Sequence, residues 1–234
     1  MRPVFAILAV AVASAGAWAV APPKDYKDVE PATLGVEPVP ETKDPKTGFV
    51  VGGNNPTALV KGLPEINGRS IAELERDMRP GAMSAKGFLG PDEGLLAVLA
   101  ADNALVVDEL GLTHQELARH LRLVAAIGLK RMADARKAKQ DPPADPFTYH
   151  GRRFTVTLLS YRGYQLSPFQ DGTKTNTEAK LTNVETGKAL RYSLLVPDMV
   201  ERYGFYEGTG TPYRVPPREV VAVLDFLKPK AKRR

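Results

Sequence analysis

The 234-residue chain contains no cysteine. That absence excludes disulfides, thiolate metal centres, a cysteine nucleophile and a lipid anchor on an N-terminal cysteine, so stability has to come from apolar burial. Histidine is scarce, with three in the chain. His114 and His120 lie six apart and point to different sides of a helix, unlike the i, i+4 pair of an HExxH zinc site. His150 stands beside Arg152 and Arg153, a poor place for a cation. All three read as exposed side chains with no metal role, and no cofactor is expected. Nucleophile signatures are missing as well: there is no GxSxG and no SxxK, and Ser167 before Pro168 has no identifiable histidine partner. The glycine-rich run GFVVGGNNP lacks both spacings that cradle phosphate. It reads as a turn between a short strand at Phe49 to Val51 and a helix at Thr57 to Val60.

What the chain does have is apolar material, 43% of residues, enough for a core. Its 32 basic and 27 acidic residues give a net charge of +5. Arg2, Lys228, Lys230, Lys232, Arg233 and Arg234 account for the excess, and without those six the body holds 26 basic against 27 acidic residues. The basicity is therefore local, a tail at 228–234 suited to an anionic surface or an acidic partner, or to a solvated terminus. No nucleic-acid partner is expected.

Residues 1–21 carry one positive charge, an apolar run from Val4 to Ala15 and then small residues around Trp18. That order predicts a signal peptide over 1–19 cleaved after Ala19, hence a periplasmic or extracellular protein; the alternative is an uncleaved membrane anchor. Residues 20–47 hold many prolines and charges and read as an extended, disordered linker.

From 48 to 140 the pattern is helical. Ser70 with Glu73 makes a capping box, as does Thr113 with Glu116. Pro91 is placed to open a helix whose stripe is Leu95, Leu99, Val106 and Leu110, interrupted by Asp102 and Asn103 and ended by Gly111. A longer helix then runs through Leu117, Leu121, Val124, Gly128 and Met132. LGLTHQELARHL, residues 110–121, resembles the opening of the helix-turn-helix DNA-binding family. That resemblance implies a short turn and a recognition helix next, whereas the apolar period runs on to Met132.

The proline-rich stretch from Asp141 to Pro146 marks a boundary, and 12 of the 17 aromatic residues lie beyond it. Residues 147–227 read as a small α+β domain with a mostly antiparallel sheet, so the whole chain reads as α+β: a helical subdomain, then a sheet with two short helices. Phe154, Val156 and Leu158 alternate with threonines, as in a half-buried strand. A Thr186-Gly187 loop would set Glu185 opposite Lys188, Leu181 opposite Tyr192 and Ala179 opposite Leu194. Pro197 opens a short helix that Gly204 closes, the segment from Pro212 to Val215 adds one more extended piece, and Pro216-Pro217 opens a last helix running to Leu227.

Two segments carry candidate chemistry. Tyr203, Tyr206 and Tyr213, with glycines between them and Arg214 beside them, suit a stacking site for sugar or peptide or, equally, a plug for the sheet's open end, with Glu207 and Arg214 as an ion pair. The loop from Gly163 to Gly172 contains Asp171, whose following positions offer too few acidic ligands for calcium. Glu207 and Asp171 are the candidate catalytic acids, and Glu178, Asp198 and Glu201 extend the pool from which a glycosidase pair might be drawn. The first functional expectation is an exported, envelope-associated binding or structural module without catalytic signature. The alternatives are a hydrolase of an envelope polymer and a helix-turn-helix DNA-binding protein.

Overall fold

The structure is a computed structural model and describes residues 25–227. The signal peptide, its cleavage site and the basic tail all lie outside those residues. The fold is α+β. In chain order it comprises β1 (Thr42–Lys43), β2 (Val50–Val51), α1 (Thr57–Lys61), β3 (Glu65–Ile66), β4 (Arg69–Ser70), α2 (Ile71–Met78), α3 (Leu95–Asn103) and α4 (His114–Lys137). Then come β5 (Phe147–Tyr149), β6 (Arg152–Leu166), β7 (Lys174–Asn183), β8 (Ala189–Ser193), α5 (Leu195–Tyr203) and α6 (Pro217–Val223).

The main sheet is an antiparallel meander ordered β5-β6-β7-β8. Its two-residue period buries Phe154, Ala179, Leu181, Leu190 and Tyr192 on one face and turns Thr157, Lys180 and Arg191 outward. The long helix α4 lies across the buried face through Leu117, Leu121, Val124 and Ile127. Gly128 is the point of closest approach: a Cβ there would stand 2.7 Å from Val156 Cγ1 and 3.1 Å from Val156 Cβ. Helix α4 runs unbroken for 24 residues, so the turn that a DNA-reading unit needs after its first helix does not occur.

Several local expectations are met. Ser70 and Glu73 form both arms of the capping box on α2; at the start of α4 one arm of the expected box forms, Thr113 accepting from Glu116 N (3.0 Å). Gly204 closes α5 in the left-handed conformation, φ 70°, as a residue without Cβ does at lowest cost.

Other expectations are corrected. The β7–β8 register is offset by two residues from a Thr186-Gly187 turn, with Leu181 opposite Leu190 and Ala179 opposite Tyr192. The cause is Asn183, whose Oδ1 accepts from Glu185 N (3.0 Å) and Thr186 N (3.1 Å) and so builds a longer loop; Glu185 pairs with Arg153, not Lys188. An offset of two leaves each side chain on its expected face. Helix α3 begins at Leu95 and not at Pro91, because Glu93 folds back to Gly90 N (2.8 Å) while Glu75 of α2 caps Leu95 N (2.7 Å). Helix α6 stops at Val223, whose carbonyl accepts from Asn183 Nδ2 (2.9 Å). The segment from Pro212 to Val215 is turn and coil, not strand.

Residues 25–47, expected as a disordered linker, pack on the fold. Asp25 accepts hydrogen bonds from His150 N (2.9 Å) and Gly151 N (2.7 Å) at the β5–β6 turn. Tyr26 is buried edge-on against Phe147, with ring centroids 5.7 Å apart, and Val39 N donates to Glu201 Oε1 (2.8 Å). Prolines there fix φ locally without forbidding contacts, and Pro31 opens a 3-10 turn, Pro31–Leu34. The expected separation at residues 141–146 does not divide the interior either: one apolar cluster runs from Tyr26 to Leu227 and draws on both parts.

Gly128→Ala gains about 1 kcal/mol of helix propensity but loses about 1–3 kcal/mol to overpacking against Val156. The net effect is a lower Tm, by about 2–4 °C for each kcal/mol lost. Adding Val156→Ala recovers part of the loss, a non-additivity that a thermal-unfolding double-mutant cycle measures.

Candidate functional site

The chain's most constrained polar chemistry starts from two consecutive residues on an apolar helix. Asp102 and Asn103 stand at the end of α3, both buried, where each polar atom needs a partner. Asp102 receives a bidentate ion pair from Arg214, at 2.5 and 3.0 Å. Asn103 Nδ2 donates to Asn55 O (3.0 Å) and Thr57 Oγ1 (2.8 Å), leaving its Oδ1 facing His114 Nε2 at 3.0 Å. His114 Nε2 therefore carries the proton, and Nδ1 accepts from Tyr206 OH at 3.0 Å. Burial lowers the His114 pKa to about 4, so the ring is neutral at pH 7. A π-helical turn, Ala104–Glu109, follows Asn103 directly.

Next to this network stands Glu207, wholly buried, with φ at 66°. Such a conformation is costly for a residue with a side chain. Its Oε2 accepts from Thr211 Oγ1 (3.3 Å), while Oε1 has no partner among the described residues. Burial, opposed weakly by Thr211, pushes its pKa up to about 8, so the carboxyl is neutral at pH 7. The expected Glu207–Arg214 ion pair is not formed: Arg214 pairs with Asp102 and donates to the backbone carbonyl of Glu207. The segment around Glu207 is clasped to residues 88–93 by Gly208 N donating to Phe88 O (2.8 Å) and by Thr209 donating to Glu93.

The remaining sequence candidates disperse. Asp171 is held in its own turn: burial raises its pKa, but hydrogen bonds from Thr173 and from Tyr203 OH (3.0 Å) outweigh burial and hold it below the usual carboxylate value. Tyr203 stacks on Phe169, centroids 3.9 Å apart, and Tyr206 is buried against His114. Glu201 is engaged by Arg122 and Asp198 by Arg202. Of the three tyrosines only Tyr213 reaches a surface groove. The histidines also differ from expectation. His114 is buried, His120 Nδ1 lies 2.6 Å from Tyr149 OH, and only His150 is exposed, stacked on Phe226. Among the described residues no three potential metal ligands cluster.

The groove that Tyr213 lines lies along the β6–β7 hairpin at a break in its ladder and holds about 350 Å³. It forms because the ladder breaks: Ser160 faces Thr177 and Gln165 faces Thr175, so Tyr161, Arg162, Gly163 and Tyr164 bulge out opposite the single residue Asn176. Tyr161, Tyr164 and Tyr213 are 48%, 64% and 42% exposed. Tyr161 is oriented, its hydroxyl donating to Glu178 Oε2 (3.0 Å) and accepting from Arg191 (3.0 Å). The Lys174 ammonium sits over the Tyr164 ring, 4.9 Å from its centroid. In the sequence Tyr164 falls within the loop expected from Gly163 to Gly172, and Tyr161 lies between that loop and the alternation of Phe154 to Leu158; a four-residue bulge has no turn residues beyond Gly163 to announce it. A larger groove, about 770 Å³, separates residues 30–41 from the first turns of α4. The Arg122–Glu201–Val39 links cross it and bind the N-terminal segment to the fold.

No protein-family model, curated protein or solved structure matches the chain.

Arg214→Met strands the Asp102 carboxylate in the interior and costs about 3–5 kcal/mol, most of which returns when Asp102→Leu is added; denaturant unfolding of the single and double variants checks this. Glu207 sets the alkaline side of stability. Its folded pKa of about 8 exceeds the ordinary 4.5, so between those values the folded chain holds a proton that the unfolded chain has lost, and stability falls as pH rises. Glu207→Gln removes that slope, leaving the variant more stable than the parent at about pH 9 by a few kcal/mol. Unfolding curves at about pH 5, 7 and 9 measure the difference, and parallel curves for the two proteins would assign the titration elsewhere.

Proposed function

We propose that this chain is an exported binding module of the cell envelope and that the groove at the break in the β6–β7 ladder receives its ligand. The observation that carries the reading is the contrast between that groove and the rest of the molecule. Three exposed tyrosines converge on an open groove, whereas the acids that a hydrolase of envelope polymers would use are sealed or engaged: Glu207 is fully buried and Asp171 caps its own turn. Large exposed aromatics cost solubility and mark surfaces that bind something. Residues 1–19 supply the route, since a single cation, an apolar core and Ala17-Trp18-Ala19 have the order of a cleaved leader. The basic run from Lys228 to Arg234 adds a sequence-level attraction to anionic envelope polymers.

Expression of the full chain followed by fractionation tests the reading. A mature protein beginning at Val20, recovered outside the cytoplasm and sedimenting with isolated envelope, is the expected outcome, with Tyr164→Ala reducing the sedimented share severalfold. An intact Met1 in a cytoplasmic fraction, or sedimentation indifferent to Tyr164, contradicts it.

A further inference from the structure

We infer that the groove at the β6–β7 break receives an extended acidic peptide segment, whose carboxylates meet Arg162 and Lys174 and whose main chain lies along the unladdered backbone of Tyr161 to Tyr164. The inference deepens the binding-module reading and rests on it for the choice of site.

The surroundings of the groove are positive once its internal bonds are counted. Glu178 is the acidic residue of the lining, and it is already engaged by Tyr161 OH (3.0 Å) and by Arg191 Nε (2.7 Å). Arg162 lines the same groove, and the Lys174 ammonium stands over the Tyr164 ring. Both are exposed, and neither makes an ion pair among the described residues. Asp198, which shares a second hollow with Lys174, is taken by Arg202 (3.1 Å). Lys180 adds to the excess, since it stands directly opposite Arg191 on the neighbouring strand. Like charges in that relation destabilise a sheet, and a carboxylate laid beside them removes the penalty. Charge complementarity of this kind selects an anionic ligand and speeds its approach.

Cations alone would suit any anion; the backbone beside them selects a peptide. Ser160 faces Thr177 and Gln165 faces Thr175, so Tyr161 to Tyr164 have no strand partner. Asn176 Nδ2 takes up the Tyr161 carbonyl (3.4 Å), and an extended segment can bond to the main chain that remains. Side chains of such a segment alternate between two faces. Acids at every second position therefore meet the cations, while the residues between them lie against Tyr164 and Tyr213, both exposed in the groove. The groove's volume lies at the lower end of the range of about 300–1,000 Å³ typical of ligand pockets, enough for a few residues of extended chain and too small for a folded partner.

Calorimetric titration of the chain beginning at Val20 tests the inference with three probes. They are a capped octapeptide of alternating glutamate and threonine, the same peptide with glutamine for glutamate, and trigalacturonate, which carries carboxylates without a peptide main chain. The acidic peptide should bind about tenfold or more tighter than either of the others, and its affinity should fall as salt rises from about 50 to about 300 mM. Arg162→Gln and Lys174→Gln should each weaken it about two- to fivefold, whereas Arg162→Lys, which keeps the charge, should bind within about twofold of the parent. The basic tail is intact in every variant, so binding to the tail alone would not follow that pattern. Equal binding of the glutamine peptide, equal binding of trigalacturonate, no binding of the acidic peptide, or full affinity in both glutamine variants overturns the inference. Two results separate it from the broader reading. Tyr164-dependent sedimentation with envelope that survives protease treatment of that envelope leaves the module standing and removes the peptide. Acidic-peptide binding by a chain retained in the cytoplasm does the reverse.

Discussion

The arrangement of this fold depends on one buried ion pair. Asp102 and Arg214 are 112 positions apart and meet with both side chains largely out of water. Two charges removed from solvent are tolerable only when their hydrogen-bonding capacity is met, and removing either partner costs more than the pair itself contributes. The pair therefore acts as a constraint on geometry: α3 can end in one place relative to the Phe205–Val215 segment. Arg214 extends that constraint by donating to the carbonyl of Glu207, which fixes the backbone where φ is positive.

The neighbouring Asn103 carries the constraint in the other direction. Its amide reaches Asn55 and Thr57 at the start of α1, and its carbonyl oxygen sets the tautomer of His114 at the start of α4. His114 then holds Tyr206, one residue before the Glu207 turn, so the circuit closes on itself. Each member leaves its neighbour a single role as donor or acceptor. In an interior of low dielectric such a network specifies one arrangement more sharply than apolar packing of the same volume does. Neutral His114 also fixes the sign of its acid response: its depressed pKa makes stability fall as pH drops from about 6.5 towards 4, opposite to the trend imposed by Glu207.

How much of this was legible in the sequence follows from the range of each signal. Caps, alternation and helix stripes are local, and so Ser70 with Glu73, the Phe154–Leu158 alternation and the face of α4 could be read directly. The burial of Leu95, Leu99, Val106 and Leu110 followed from the 3.6 period. Asp102 and Asn103 appeared as interruptions of that stripe, which was the visible trace of the polar network. Their partners at 214, 55 and 114 are long-range and left no trace in spacing. The β7–β8 register was misread because a glycine suggested the shortest turn while an asparagine side chain built a longer one. The proline-rich segment at 25–47 was misread because composition reports the entropy of a free chain and not the contacts, such as Asp25 to the β5–β6 turn, that hold it.

The candidate site was half visible for a related reason. Aromatic content directed attention to Tyr203, Tyr206 and Tyr213, yet the first two are anchored to Asp171 and His114, and only the third is free. The exposed partners, Tyr161 and Tyr164, lie in a strand whose alternation would have placed them on opposite faces. The bulge cancels that rule by setting four residues against one, so both reach the same groove. A rigid ladder on either side of the break and the Tyr161–Glu178–Arg191 bonds across it keep the displaced segment in place. The other wall of the groove, Tyr213, belongs to the Phe205–Val215 segment, which Arg214 ties to Asp102 and to the Glu207 carbonyl. Strain belongs to the core here, where the ion pair and the clasp to residues 88–93 maintain it, while the Tyr161–Tyr164 wall of the groove rests on a register slip that ordinary strand pairing can support.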